Sequence, residues 1–113
     1  MRIRSFILPI TDPRGVRFDA AHQEARHRLL TRFGGFTTTL VQGAWVNDAG
    51  QPVTDKSLRY EVAADWANQS DLSNAGNATW NCILQDLGRL ADQECLFWVD
   101  ETGEAFITPI SPI

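Results

Sequence analysis

The chain has 113 residues, 43% of them hydrophobic, and a formal net charge of −4. This length and composition predict a single domain, 1–113, that folds around its own core, and they exclude a disordered chain. No apolar run approaches the roughly 20 residues of a membrane-spanning helix, and the start of the chain alternates like a strand rather than a leader, so we expect a protein of the reducing cytoplasm.

The charges are unevenly distributed along the chain. Residues 1–33 contain seven Arg and three acidic residues, a balance of +4, whereas residues 34–113 contain three basic and eleven acidic residues, a balance of −8. This asymmetry favours self-association or a basic protein partner over nucleic-acid binding, which usually needs a net basic surface. A solvated, salt-bridged surface explains the asymmetry equally well.

The first half of the chain predicts a strand, a helix and a second strand. Residues 2–10 are apolar on both faces of a strand, as in the centre of a sheet. Residues 18–33 predict an amphipathic helix with Asp19 as its N-cap, and Gly34 and Gly35 follow where a C-capping glycine belongs. Residues 36–46 are rich in Thr and aromatic residues and predict an exposed edge strand, in which Gly43 indicates a bulge or a close approach.

The second half continues with a hairpin, a second helix and a final pair of strands. The alternation of the third strand is the clearest period-two signal in the sequence. Ser73 or Asn74 is expected to cap the second helix after a polar loop. The predicted elements are a hairpin turn at 47–50, strands at 53–66, 94–100 and 105–110, and a helix at 75–92.

The order of these elements predicts the fold. It is βαββαβ with an extra C-terminal hairpin strand, which is the pattern of a ferredoxin-like α+β domain. Right-handed crossovers place both helices on one face of an antiparallel sheet. The other face is left open, and its partly apolar character calls for a cover such as a second subunit. We therefore expect a homo-oligomer.

The most distinctive motif lies around GGFTTTLVQGAW, residues 34–45. The segments FGGFT, GAW and YEV within residues 33–62 resemble a pattern in small uncharacterised proteins of bacteria and their phages. This resemblance covers about a quarter of the chain and implies a ferredoxin-like fold, but no activity or catalytic residue. Compact phage proteins often bind and block host defence machinery, so the resemblance favours such an inhibitor by analogy.

The residue types capable of chemistry show no catalytic pattern. His22 and His27 lie about 140° apart on the predicted helix, so they cannot share a metal ion from one face. We predict His22 to be a hydrogen-bonded residue at the edge of the core. Cys82 and Cys95 form no metal-binding motif, and Cys82 has no basic neighbour that would activate it. We therefore predict no cofactor, no metal site and no catalytic residue.

Aromatic and acidic residues near the C-terminus predict a protein interface. Either Phe97 or Trp98 must face away from the helices, because successive residues of a strand point to opposite faces. An acidic turn follows this strand, and aromatic anchors rimmed by charge are the usual composition of an interface. The predicted interface residues are Trp45, Phe97, Trp98, Asp100, Glu101 and Glu104.

The sequence features are compatible with two functions. The first is a non-enzymatic binding protein that acts through a protein–protein interface, with an inhibitor of host defence from a phage or mobile element as its specific form. The second is a small dimeric α+β barrel enzyme or small-ligand-binding protein with a pocket over the open sheet face. A pocket with paired titratable groups would favour the enzyme, and a flat apolar and acidic patch would favour the binding protein.

Overall fold

A computed structural model describes residues 1–66 and 74–112. The predicted polar loop and its candidate cap Ser73 lie outside the described residues. No helix in the described part is long and apolar enough to cross a membrane. The elements are strand β1 (Arg2–Pro9), helix α1 (Asp19–Phe33), strands β2 (Thr37–Val46) and β3 (Pro52–Ala64), helix α2 (Asn74–Leu90), and strands β4 (Cys95–Val99) and β5 (Ala105–Pro109).

The five strands form one antiparallel sheet in the order β2-β3-β1-β4-β5. This is the ferredoxin-like strand order with β5 added beside β4, so the predicted fold class is confirmed. Strand β1 pairs with β3 on one side and with β4 on the other, in the central position that its two apolar faces predicted. Helices α1 and α2 pack on one face of the sheet and leave the other face open.

The core lies between the helices and the helix-facing residues of the sheet. Phe6 and Leu8 of β1 and Tyr60 and Val62 of β3 are fully buried, because alternate residues of a strand share a face. Each such side chain contributes about 2 kcal/mol through burial. The helices add Ala21, Ala25, Leu29, Trp80, Ile83, Leu84 and Leu87.

Strands β2 and β3 form a hairpin that extends beyond the rest of the sheet. Their pairing runs without interruption from Thr37 opposite Glu61 to Val46 opposite Pro52, whereas β1 covers β3 only as far as Ser57. Residues 43–55 therefore form a two-stranded arm. Gly43 marks a close approach rather than a bulge, because a Cβ there would lie 3.2 Å from the Asp55 Oδ1 atom.

The ends of α1 differ in how well the sequence predicted them. The prediction of Asp19 as the N-cap is wrong by one residue: Phe18 occupies that position without a capping side chain, and Asp19 begins the helix. The Asp19 carboxylate instead accepts a hydrogen bond from Arg17 Nε at 3.0 Å. At the other end the predicted C-cap is confirmed, since Gly34 has φ 82° and its N–H donates to the Leu30 carbonyl at 3.0 Å.

The left-handed backbone of Gly34 gives a prediction with a neighbouring control. Gly34→Val should lower the free energy of unfolding by about 1–2 kcal/mol, since a side chain in this conformation meets its own carbonyl. Gly35→Val should cost less, because Gly35 has no positive φ and neither glycine has another atom within 4 Å of an added Cβ. Urea denaturation of the two variants measures the difference. Equal losses would contradict the capping role of Gly34.

His22 is hydrogen-bonded through both ring nitrogens, as predicted, and it is buried rather than half-buried. Its Nε2 lies 2.9 Å from the Pro9 carbonyl oxygen, and its Nδ1 lies 2.6 Å from the Tyr60 hydroxyl oxygen. A carbonyl can only accept, so Nε2 carries the proton and Nδ1 accepts from the hydroxyl. Burial lowers the pKa of His22 and raises the pKa of Tyr60 to about 12. The neutral imidazole is therefore the form that the fold requires.

This histidine should make stability depend on pH. Because its folded-state pKa lies below the ordinary value, the unfolded chain binds the proton first, and the free energy of unfolding should fall as pH drops from 7 towards 5. Urea denaturation at both pH values checks this. His22→Gln should remove that pH dependence, while the exposed His27 on the same helix offers the control His27→Gln, which should retain it. Retention of the full dependence in His22→Gln would assign it to another group.

Candidate ligand-binding site

A cleft of about 770 Å³ opens at one end of the sheet on its helical side. Because β1 runs antiparallel to β3 and β4, the first residues of β1 meet the last residues of those two strands there. The volume lies within the range of pockets that bind small molecules. The aromatic residues of its lining are Trp66, Trp80, Trp98 and Phe106, and the charged residues are Arg2, Arg4, Asp65, Asp100 and Glu101.

A buried arginine forms the floor of this cleft. Arg4 is 4% exposed, because it shares the helix-facing side of β1 with Phe6 and Leu8. Its Nε donates to Glu101 Oε1 at 3.1 Å and its Nη2 donates to Glu101 Oε2 at 3.0 Å. A buried guanidinium is costly unless it is paired and hydrogen-bonded. This two-pronged ion pair compensates the burial and ties the turn after β4 to the first strand.

Three indole rings surround the same guanidinium. The Arg4 Cζ atom lies 4.4 Å from the ring centroid of Trp66, 5.5 Å from that of Trp80 and 5.7 Å from that of Trp98. All three distances are within cation–π range. The rings also contact each other, with centroids 5.5 Å apart for Trp66 and Trp80 and 5.8 Å apart for Trp80 and Trp98. We call these three residues the tryptophan cage.

The indole N–H groups of the cage differ in their partners. Trp66 Nε1 donates to the Arg2 carbonyl at 2.9 Å, and Trp98 Nε1 donates to Thr108 Oγ1 at 2.7 Å. Trp80 Nε1 is buried and has no acceptor among the described residues. A buried donor without an acceptor costs about 1–3 kcal/mol. The described residues therefore supply no acceptor for the N–H group of Trp80, which is a polar group of the cage.

The outer wall of the cleft is a stacked aromatic pair. Trp98 and Phe106 lie on the neighbouring strands β4 and β5 and face the helical side together. Their ring centroids are 4.6 Å apart with an interplanar angle of 20°, and both side chains are partly exposed. This pair presents a flat aromatic surface beside the tryptophan cage.

The acidic turn between β4 and β5 is built by Asp100. Its Oδ1 accepts hydrogen bonds from the Thr102 hydroxyl at 2.7 Å, the Thr102 N–H at 2.9 Å and the Glu104 N–H at 3.0 Å. The bond from the Thr102 hydroxyl is the largest cause that holds the pKa of Asp100 below its ordinary value. Asp100 therefore shapes the turn, and the turn places Glu101 against Arg4.

The predicted interface residues do not form one patch. Trp98, Asp100 and Glu101 line the cleft, and Glu104 is exposed in the turn. Phe97 is the member of its pair that faces away from the helices and is 42% exposed, and Trp45 lies on the arm and is 54% exposed.

Four residues of the cleft were not among the predicted interface residues: Arg4, Trp66, Trp80 and Phe106. One signal for Arg4 is present in the sequence: a charged residue occupies the strand position that precedes Phe6 and Leu8 on the buried face. Charged residues are almost never fully buried without a partner. That pattern predicts a buried ion pair, although it does not identify Glu101.

The cysteines and other metal-binding residue types form no site of their own. Cys82 and Cys95 are both exposed and unbridged. Within residues 1–66 and 74–112, no three His, Cys, Asp or Glu side chains come close enough to hold a metal ion.

The buried ion pair gives a stability prediction. Glu101→Gln should lower the free energy of unfolding on the order of 2 kcal/mol, because it leaves the Arg4 charge without its counter-ion in a buried place. Glu104→Gln in the same turn is the control and should change stability by less than about 0.5 kcal/mol. Thermal and urea unfolding measure both. Similar losses in the two variants would show that turn structure, rather than the ion pair, is what matters.

Comparison with known proteins identifies solved structures that share this fold. No protein family and no curated protein matches this sequence. A phage SAM lyase in its apo state has a TM-score of 0.68 and 13% identity, over 96% of this chain and 89% of that chain. A phage SAM lyase in complex with S-methyl-5'-thioadenosine has a TM-score of 0.66 and 12% identity, over 95% and 88%. At this identity the likeness establishes the shared fold.

These findings correct the functional prediction. The interpretation as a non-enzymatic protein that acts through a protein interface, including an inhibitor of host defence, is wrong: the similar structures are of an enzyme with a small-molecule ligand. The alternative, an enzyme or small-ligand-binding protein, is favoured. That alternative placed its pocket over the open sheet face. The large cleft lies on the helical side instead, and a smaller hollow of about 350 Å³ beside Gly34 and Glu61 reaches the open face.

Proposed function

We propose that the protein is an enzyme that binds S-adenosylmethionine (SAM) in the cleft and releases S-methyl-5'-thioadenosine from it. The observation that carries this proposal is the tryptophan cage and its adjoining stacked pair, in a fold shared with a phage SAM lyase. A concave cleft lined by aromatic rings and a few charged side chains is typical of a small-molecule site rather than a flat binding surface.

The aromatic wall suits the adenine ring of this substrate. A purine stacks on a flat aromatic surface, and offset-stacked ring pairs contribute about 0.5–1.5 kcal/mol beyond their area burial. Trp98 and Phe106 present such a surface on the accessible side of the cleft. The N–H of Trp80, which has no acceptor among the described residues, is a donor that an acceptor atom of the bound ligand would satisfy.

The charges of the cleft suit a ligand with one positive charge. Among the described side chains that line it, two are basic (Arg2 and Arg4) and three are acidic (Asp65, Asp100 and Glu101), which leaves a side-chain charge balance of −1. SAM carries a sulfonium, an ammonium and a carboxylate group, with a net charge of +1. The sulfonium is attracted to the exposed aromatic surface of the stacked pair by the cation–π interaction, and exposed Arg2 is the group that suits the carboxylate.

The cage also suits the bond cleavage itself. Release of methylthioadenosine breaks the bond between the sulfur and the γ-carbon of the aminobutyrate chain, and both electrons stay with the sulfur. The carboxylate of the same SAM molecule supplies the new bond to that carbon and closes a lactone, so no further reagent is needed. The positive charge of the sulfonium is therefore lost as the reaction proceeds. A wall that removes water from the sulfonium destabilises the charged ground state more than the transition state. Trp98 and Phe106, which line the cleft and are partly exposed, provide such an aromatic wall.

Incubation with SAM tests the proposal directly. Chromatography with mass detection should find methylthioadenosine formed in proportion to enzyme and time. Phe106→Ala should reduce kcat/KM about tenfold, the equivalent of one lost stacking contact of about 1.4 kcal/mol. Leu40→Ala is the control, because Leu40 is 62% exposed on the far edge strand, and it should keep full activity. Absence of both methylthioadenosine formation and SAM binding would overturn the proposal.

The cellular compartment of the protein is part of the same proposal. We place the protein in the cytoplasm, because its two exposed cysteines are unbridged, as is usual in a reducing compartment. In this proposal the substrate SAM is present in the same compartment. A redox-sensitive alkylation assay in expressing cells measures the state of Cys82 and Cys95, and both should be found reduced.

A further inference from the structure

The strand that carries one ring of the stacked pair lies at the edge of the sheet. Strand β5 is last in the strand order and pairs with β4, so the backbone groups on its other side take no part in the ladder. Phe106 of this strand stacks on Trp98, and Thr108 accepts the hydrogen bond of the Trp98 indole. The position of the stacked pair therefore depends on how β5 is held.

The start of β5 is held by the turn that precedes it. Glu101 in this turn forms the two-pronged ion pair with Arg4, and Asp100 accepts the hydrogen bonds that shape the turn. The other end of the strand, at Pro109, lies outside the cleft. It needs contacts of its own if the whole strand is to keep one position.

Those contacts come from helix α2 and the last part of the strand. We call residues 109–111 the strap. The side-chain amide of Gln85 binds the strap at two points: its Nε2 donates to the Pro109 carbonyl at 2.7 Å, and its Oε1 accepts from the Ser111 N–H at 2.7 Å. Arg89 Nη1 donates to the Ser111 carbonyl at 3.1 Å. Positions 85 and 89 are four residues apart, so one face of the helix holds the backbone of the strap.

The middle residue of the strap enters a notch in the same helix. The Ile110 N–H donates to the Glu94 carbonyl at 2.8 Å, and its side chain packs against the core. Opposite this side chain, α2 has Gly88 instead of a larger residue. A Cβ at position 88 would lie 2.5 Å from Ile110 Cγ1 and 2.7 Å from Ile110 Cδ1. The isoleucine thus occupies the space that a side chain on the helix would need.

The backbone of the helix does not itself require a glycine at this position. Gly88 is buried inside α2 and has no positive φ, and alanine is more favourable than glycine in a helix interior. Trp80 and Leu84 precede it at intervals of four residues and are buried on the same stripe of the helix. Trp80 contacts Trp98 in the cage. One stripe of α2 therefore contacts the stacked pair at one end and receives Ile110 at the other.

We propose that Gly88 and Ile110 are positioning residues of the ligand site: by locking the strap onto α2 they fix β5, and with it the surface that the stacked pair presents to the ligand. The inference rests on the proposed function for its ligand, whereas the position of the stacked pair can be measured on the chain alone. Neither residue lines the cleft, so an effect of either on the ligand must pass through β5.

Gly88→Ala tests this lock without a ligand. The added methyl group forces Ile110 to withdraw by about 1 Å, because carbon atoms in contact stay about 3.5–4.0 Å apart, and Thr108 moves with the strap. In a two-dimensional ¹H–¹⁵N spectrum the indole signal of Trp98 should shift, since Thr108 is its acceptor, while that of Trp45 on the arm stays in place. An unchanged Trp98 signal would overturn the proposal.

A second background separates the lock from a general effect of alanine on the helix. Ile110→Ala removes the side-chain atoms that lie within 3.0 Å of the added methyl group. In the native chain, Gly88→Ala should weaken binding of methylthioadenosine about fivefold, as expected for one disturbed stacking contact. In the Ile110→Ala chain the same exchange should change neither the Trp98 signal nor the affinity, because residues in direct contact are coupled. Titration calorimetry measures the affinities, and equal losses in both backgrounds would overturn the proposal.

Ile107→Ala is the matched control for Ile110→Ala. Ile107 lies on the same strand but is 70% exposed and points to the opposite side of the sheet, because its position is odd-numbered. Ile107→Ala should leave the Trp98 signal and the affinity unchanged, whereas Ile110→Ala should alter both. Equal effects of these two variants would contradict the lock.

The experiment also distinguishes failure of the lock from failure of the proposed function. If the native chain does not bind methylthioadenosine, but Gly88→Ala moves the Trp98 signal in the native background alone, the proposed function is wrong and the lock is supported. If the native chain binds methylthioadenosine and Gly88→Ala leaves both the signal and the affinity unchanged, the lock is wrong and the proposed function is unaffected.

Discussion

The buried charge of Arg4 is the constraint on which the candidate site depends. A guanidinium at a helix-facing position of β1 must be compensated where it lies, and the fold does this with one carboxylate and three indole rings. These groups come from the turn after β4, the end of β3, helix α2 and β4 itself. One side chain therefore fixes the relative positions of four elements that are distant in sequence, and the cleft forms where they meet.

The same arrangement explains why the cleft suits a small cationic ligand rather than a protein surface. Arg4 and Glu101 neutralise each other, so the wall above them is aromatic and dry, and Asp65 and Asp100 leave the lining slightly negative. The likeness to a phage SAM lyase concerns the fold. The proposed reaction follows from that likeness together with the cage.

Much of the fold could be predicted because it follows from local patterns. Alternation predicted β3, both apolar faces predicted the central place of β1, and Gly34 predicted the end of α1. The site could not be predicted in this way, since Arg4 and Glu101 are 97 residues apart and only the folded sheet brings them together. The alternation of β4 required Phe97 and Trp98 to face opposite sides, but it gave no means of deciding which of them joins the cleft. Trp66 and Trp80 are buried aromatic residues, and a buried aromatic position in a sequence indicates a core residue as readily as a site residue.

The indole N–H signals of the protein offer the most direct measurement of whether the cage is the ligand site. The chain has four tryptophans, three in the cage and Trp45 on the arm, so each two-dimensional ¹H–¹⁵N spectrum contains its own control. Titration with methylthioadenosine to about 1 mM covers weak as well as tight binding. The account predicts that the signals of Trp66, Trp80 and Trp98 shift together while that of Trp45 stays in place. Unchanged cage signals, or a shift confined to Trp45, would contradict it.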